Sequence, residues 1–320
     1  MGRVDSNAAS GMPRVAPDTI SNQTKHICVC ICTYKRPLLL KRLLEDLAHQ
    51  ERSGLFTYSI VVADNDRLRS AEAVVSGFAA ASSIPVKYCV EPQQNISRAR
   101  NKAVENANGD FIALIDDDEF PTKQWLLTLF NACCEHNVDG VLGPVKCQFD
   151  EVPPKWVVKG RFYERPTYRT GFVIDWTKGR TGNVLLKKNV FEGLEQPFNP
   201  EFRTGEDQDF FRRMIEKGCV FVWCNEAVAF EVVPPVRCKR SFMLKRALLR
   251  GQVTLLHPTS GTWQILKSVI AVPAYTLALP FALAVGQHRF MALLVKLCDH
   301  LGKLLACLGI RPIKDAYVTA

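Results

Sequence analysis

Past an opening stretch without periodicity, the apolar and polar positions of this chain alternate between two rhythms. "HICVCICT" is a nearly unbroken apolar run and predicts a strand, whereas "PLLLKRLLEDLAHQ" repeats its apolar residues at helical spacing, with Pro37 in the first turn. The exchange recurs in "YSIVVAD" and "SAEAVVSGFAAAS", in "VKYCVE" and "ISRARNKAVENAN", and in the opening strand "DFIALI", with Gly109 as the expected C-cap of the third helix. Apolar strands alternating with helices predict an α/β fold on a mostly parallel, doubly wound sheet. Ligands of such sheets lie beyond the carboxyl ends of the strands. Three loops should therefore converge there: Thr33, Tyr34, Lys35 and Arg36 after the first strand, Asp64, Asn65 and Asp66 after the second, and the acidic run that follows "DFIALI".

From Gly140 to about Val233 the pattern is irregular, with Pro- and aromatic-rich segments such as "VPPKWVVKGRFYERP". It reads as the acceptor-facing half of one domain over 26–235, preceded by a flexible tail over 1–25. The region 236–320 differs in kind. "RCKRSFMLKRALLRG" predicts a basic helix, "VIAVPAYTLALPFALAVG" is uncharged and close to the shortest bilayer-spanning length, and "FMALLVKLCDHLGKLLACLGI" has the apolar stripe of an interfacial amphipathic helix. Pro273 and Pro280 argue against a straight span. Lys267 precedes the apolar run and Arg289, Lys296 and Arg311 follow it, so both ends are expected on the cytoplasmic side. The expectation is a monotopic or re-entrant anchor on the cytoplasmic face of a membrane.

A chain of 320 residues with 47% hydrophobic content can bury a large core. Its 12 cysteines come without a basic-then-apolar leader, which points to a reducing cytosol. Cys28, Cys30 and Cys32 alternate on one face of a strand and read as packed thiols, not zinc ligands. The net charge of +9 calls for an anionic partner. No basic patch with aromatic platforms or groove-reading motif is evident, so nucleic acid is set aside in favour of an anionic membrane surface.

Asp116, Asp117, Asp118 and Glu119 stand in a row at the end of a buried strand. A helix start would favour acids, but three consecutive Asp exceed that need, and carboxylates on a loop suit Mg²⁺ or Mn²⁺ shared with a substrate phosphate. Glu119 reads as no more than a helix-start acid. "GEDQDFFRRM" supplies a second acidic pair, Glu206 and Asp207, ahead of an amphipathic helix. One acidic group holding metal and another free to take a proton would serve a displacement on an activated sugar or phosphate.

Taken in order, "CTYKRP", "VVADND", "NISRARNKAVENANGDFIALIDDDE", "TGNVLLKKNVFE" and "FRTGEDQDFFRRM" resemble the family 2 glycosyltransferases, enzymes of the GT-A fold, a Rossmann-like sheet, that use nucleotide sugars. The likeness runs from about His26 to Gly251, and "PPKW", "TGNVL" and "EVVPPVR" resemble the bacterial exopolysaccharide branch of the succinoglycan-glucosyltransferase type. The resemblance implies a nucleotide pocket at Thr33, Tyr34 and Arg36, with Asp64 on uracil and Arg100 and Asp117 on the nucleotide side. It implies metal ligation by Asp116 and Asp118, a catalytic base in Asp207, and acceptor contacts from Glu206, Asn183 and Arg213. The implied reaction moves a hexose, glucose by the branch, from a UDP-sugar to a lipid-linked saccharide with inversion. Two positions depart from the pattern: Asn95 replaces a common Gly, and Glu231 stands where many members carry a His able to reach the metal. Rival readings are a haloacid-dehalogenase-like phosphoryl transferase, for which Phe120 is the wrong residue, a nucleotidyltransferase, whose Gly-rich loop is missing, and an inactive membrane scaffold.

Overall fold

The computed structural model describes residues 24–202, 204–254, 262–310 and 312–313. Most of the expected N-terminal tail, and Arg311, lie outside the described residues. The first half follows the predicted alternation: β1 (Lys25–Thr33), α1 (Pro37–Leu47), β2 (Phe56–Asp64), α2 (Glu72–Ala81), β3 (Val86–Val90), α3 (Ile96–Asn106) and β4 (Phe111–Asp116). Then come β5 (Glu119–Pro121), α4 (Trp125–Glu135), β6 (Gly140–Leu142), β7 (Val145–Phe149), α5 (Lys155–Lys159), β8 (Asn183–Lys187), α6 (Glu206–Glu216), β9 (Phe221–Trp223) and β10 (Ala229–Val233). Three helices close the chain: α7 (Arg240–Thr254), α8 (Thr262–Val285) and α9 (Gln287–Cys307).

Seven strands form the main sheet in the order β3-β2-β1-β4-β8-β6-β9. β8 alone runs antiparallel to its neighbours β4 and β6. The apolar strands bury both faces, as a parallel sheet covered by helices requires. In β1 the alternation is explicit: Ile27, Val29 and Ile31 join one core with Leu40, Leu43 and Trp125, while Cys28 and Cys30 join the other with Phe198, Phe210 and Phe211. All 12 cysteines are free, and Cys28 and Cys30 are packed thiols as expected. A small second sheet, β5-β10-β7, stands beside the main one and was not anticipated by the apolar pattern, because its strands are only three to five residues long.

Parallel register sets the site. Thr33 lies opposite Asp64, and Cys32 opposite Asp116, so the ends of β1, β2 and β4 reach one edge at the same level.

Two local expectations need correction. α3 ends at Asn106, and Gly109 is not its cap; it lies where the chain passes the His26 carbonyl, only 2.8 Å from where a Cβ would sit. α8 is one continuous 24-residue helix through Pro273 and Pro280, the two residues expected to argue against a straight span. Each proline removes a single backbone donor, a loss that a long apolar helix can absorb. The helix has a mean hydropathy of 1.9 over its most apolar window, and 6% of that window is buried, so it is long and apolar enough to cross a membrane.

α9 packs against both α7 and α8. The α7–α9 crossing is close because glycines meet backbone: a Cβ on Gly251 would stand 2.1 Å from the Asp299 carbonyl oxygen, and one on Gly302 would stand 2.3 Å from that of Leu248. Gly251→Val should force the two helices apart and destabilise the chain by about 1–3 kcal/mol, the usual cost of overpacking. Chemical denaturation of the purified protein checks this, and an unchanged midpoint would contradict the crossing.

Candidate active site

Beyond the carboxyl edge of the main sheet lies a crevice of about 440 Å³. Thr33, Tyr34 and Arg36 line it from β1, Asn65 from β2, Arg100 from α3, Asp116 to Asp118 from the β4 turn, and Glu206 and Asp207 from α6. A groove of about 630 Å³ shares Asp207, Glu231 and Arg246 with the crevice and continues along α7 to Gln264.

The acidic row does not present four equivalent charges. Asp116, at the end of β4, is 41% exposed at its side chain and accepts a hydrogen bond from Arg100 Nη2 at 3.3 Å through Oδ1. Asp117 is buried, and its two oxygens accept from Thr33 Oγ1 at 2.8 Å and Arg36 Nη1 at 3.1 Å. Burial pushes its carboxyl up to about 7; Arg36 opposes the shift and Asp118 reinforces it. Asp118 accepts from Arg36 Nη1 at 3.2 Å and Arg237 Nη2 at 2.8 Å, both on Oδ2. Glu119 opens strand β5, not a helix, and pairs across the ladder with Glu231. Its carboxyl is fully buried with Oε2 unpartnered, and burial, then the charge of Asp116, raises its pKa well above the usual range. It stands behind the row, where burial disfavours its charged form.

The second acidic pair is set by a glycine. Gly205 has φ +82°, in the left-handed region, and turns the chain so that Glu206 and Asp207 fall in the first turn of α6. Glu206 is buried and bonded to Arg100 Nη1. Arg100 thus joins the two acidic motifs, one nitrogen on Asp116 and the other on Glu206. Burial alone would lower its pKa, but Glu206 and then Asp116 more than offset that and raise it. Asp207 accepts from the Gln208 amide at 2.8 Å through Oδ1. Asn95 caps α3, the helix that carries Arg100, by accepting from Arg98 N at 3.2 Å, and its extended φ of −168° needs no glycine.

Three expected site residues are placed elsewhere. Asp64 is fully buried and accepts from the Asp66 and Ala71 amides and from Tyr88 Oη, so it braces the loop, and Asn65 beside it lines the crevice. Asn183 lies inside β8 at 2% exposure, accepting from Trp125 Nε1 at 2.7 Å and donating to the Pro144 and Ala227 carbonyls. Arg213 faces away, pairing with Asp209 at 2.9 Å and with the Pro197 carbonyl. The sequence quotes these motifs correctly but does not reveal which way their side chains turn.

Conversely, Arg165, Arg237 and Arg246 line the crevice without having been singled out. Glu231 bonds Arg165 through Oε2 and Arg237 at 2.7 Å through Oε1, which engages both its oxygens in ion pairs. A signal for Arg246 was present: Phe242, Arg246 and Leu249 recur at helical spacing on one face of α7, and all three line the crevice.

Residues 28–188 match Glycosyl transferase family 2. The chain is also 32% identical over 309 residues to "Succinoglycan biosynthesis protein ExoM" of Rhizobium meliloti (strain 1021), covering 92% of this chain and 96% of that one. It belongs to glycosyl transferase family 2. A further family 2 likeness is to the chondroitin synthase of Pasteurella multocida (strain Pm70), 22% identical over 252 residues, 67% of this chain but 25% of that protein. Solved structures of S. aureus TarS share the fold at a TM-score of 0.50. One TarS structure is 16% identical with 88% of this chain and 54% of that one covered. TarS 1–349 in complex with UDP is 15% identical with 88% and 89% covered. Membership in the family, on a GT-A-like sheet, makes this chain a glycosyltransferase and sets aside the phosphoryl-transfer, nucleotidyltransferase and scaffold readings.

Family 2 glycosyltransferases of this fold are generally dependent on a divalent metal. Among the described residues no group of three or more His, Cys, Asp or Glu forms a metal cage. The donor set nonetheless fits a cation held jointly with substrate. Among the described residues no bond reaches Asp116 Oδ2 or Asp118 Oδ1, and Mg²⁺ is commonly held by one or two carboxylates plus phosphate and water.

Asn183 separates a structural role from acceptor contact. Asn183→Ala would leave the Trp125 indole and the Ala227 carbonyl unpaired, while the Pro144 carbonyl keeps the Ala229 amide, and should cost about 2–4 kcal/mol, by the penalty for orphaned buried groups. Denaturation midpoints check this. A variant of unchanged stability with a raised acceptor KM would restore the acceptor role instead.

Proposed function

We propose that this glycosyltransferase moves a hexose from a UDP-sugar to a hydroxyl of a lipid-linked oligosaccharide, inverting the anomeric carbon, in the assembly of a bacterial exopolysaccharide. The observation that carries the reading is the position of Asp207, on the wall shared by the acid-lined crevice and the groove along α7. The relative ExoM, named for succinoglycan biosynthesis, and the UDP-bound TarS neighbour support the pathway class and the donor class respectively.

The chemistry follows from the residues. Asp207 holds Oδ1 toward its own helix start, which leaves Oδ2 for the acceptor. That carboxylate removes the hydroxyl proton as the oxygen attacks the anomeric carbon from the face opposite UDP. The bond to the diphosphate breaks with its electrons, and an α-linked donor gives a β product. Glu206, fixed by Arg100, orients the acceptor beside Asp207. Thr33, Tyr34, Arg36, Asn65 and Asp117 form the nucleotide side, and Arg100 positions both acidic motifs. Mg²⁺ or Mn²⁺ held by Asp116 and Asp118 would offset the charge that the leaving diphosphate gains.

The C-terminal helices suit a cytoplasmic membrane surface. α8 exposes Trp263, Ile270, Leu277 and Phe281, while α9 beside it carries Lys296, Asp299, His300 and Lys303. His300 bonds Ser268 of α8 at 2.9 Å, so charged positions of α9 share the depth of α8. A hairpin lying along the surface meets both facts better than one crossing the bilayer. An anionic inner leaflet and a lipid-linked acceptor fit that placement.

Asp207→Asn should lower kcat by about 10² to 10⁴-fold, the usual contribution of a general base, while UDP affinity changes little. Transfer from a panel of UDP-sugars in membrane fractions, with UDP release as readout, measures it; an active Asp207→Asn enzyme would reassign the base. Chelation of divalent ions should abolish turnover, with Mg²⁺ or Mn²⁺ restoring it, and activity that survives exhaustive chelation would remove the metal from the mechanism.

A further inference from the structure

Among the described residues, the cations that line the crevice are paired with one exception. Arg36 is held by Asp117 and Asp118, Arg100 by Asp116 and Glu206, Arg165 by Glu231, and Arg237 by Asp118 and Glu231. Arg246 has no hydrogen bond or ion pair among the described residues, although it lines both crevice and groove. Glu231, the carboxylate whose charge acts on it, has each oxygen already engaged by another guanidinium. Protein atoms crowd the Arg246 head group, and that crowding, with the charge of Arg237 next, lowers its pKa below the ordinary arginine value. Its charge persists all the same, because a guanidinium does not lose its proton in a protein.

An unpaired cation beside two others, against the apolar Phe242 and Leu249, leaves local positive charge unbalanced. A multiply charged anion would balance it, and the planar fork of arginine matches phosphate oxygens two at a time. On the reading proposed above, both substrates carry such an anion: the sugar nucleotide and the lipid-linked saccharide each contain a diphosphate. We infer that Arg246 anchors a diphosphate-binding slot where the crevice meets the groove, with Arg237 and Arg165 as its cationic flanks. The basic segment read from sequence as a membrane-facing helix thus turns one arginine inward to substrate.

The test uses full-length, detergent-solubilised protein with Mg²⁺, and titrates UDP, UMP, farnesyl diphosphate and farnesyl monophosphate by calorimetry against wild type and R246Q. R246Q should weaken at least one diphosphate by about 10-fold or more, the scale of a lost charge-assisted bond, while the matching monophosphate changes by less than about 3-fold. A loss confined to UDP assigns the slot to the donor, and a loss confined to farnesyl diphosphate assigns it to the acceptor; either supports the slot. Unchanged affinity for both diphosphates in folded R246Q overturns it. Should R246Q not fold, R246K, which keeps the charge and drops the fork, carries the same test with an expected loss of about 3-fold. Wild type that binds UDP while the variant loses nothing sinks the slot and keeps the function. Wild type that binds farnesyl diphosphate but not UDP sinks the donor reading and leaves the slot standing, and binding of neither overturns both.

Discussion

One buried guanidinium sets the geometry of this enzyme. Arg100 reaches Asp116 at the end of β4 with one nitrogen and Glu206 at the start of α6 with the other, and it is 7% exposed. A buried cation without partners is expensive, and removing one partner of a buried pair commonly costs about 3–5 kcal/mol. The fold therefore cannot separate the two acidic motifs without stranding this charge. Asn95 caps α3, the helix that carries Arg100, so the cap and the ion pairs together fix the distance between the two sides of the crevice.

The acidic row, which on paper is a concentration of negative charge, is distributed over unlike surroundings. Asp116 stays half open, burial raises the pKa of Asp117, Asp118 is shared by Arg36 and Arg237, and Glu119 is buried where its charged form is disfavoured. The repulsion is thus reduced by burial and by arginine. Among the described residues no bond reaches Asp116 Oδ2 or Asp118 Oδ1, a donor set that suits a cation held jointly with a phosphate.

Much of the framework was legible in the residues. The apolar runs of β1, β2, β3 and β4 and the helical spacing between them placed the main sheet and the three converging loops, because buried parallel strands have few other ways to appear. The acidic runs marked Asp116 to Asp118 and Asp207 because their charge density exceeds what capping a helix needs. What failed were side-chain directions. Asp64, Asn183 and Arg213 sit in recognisable motifs yet spend their polar atoms inside the protein, and a sequence states spacing without stating orientation. The small sheet β5-β10-β7 was missed because pairing of three short strands comes from long-range register, which no local period reports.

The close crossing of Gly251 and Gly302 has a mechanical side. α7 supplies one wall of the crevice and of the groove through Phe242, Arg246 and Leu249, and its other contacts include the backbone of α9. The apolar hairpin is therefore packed onto the helix that lines the crevice and is not a detachable tether. Cutting the chain after α7 to obtain a more soluble protein would strip the brace from that wall, so the shortened enzyme would differ from the whole one in how it holds substrate as well as in where it resides.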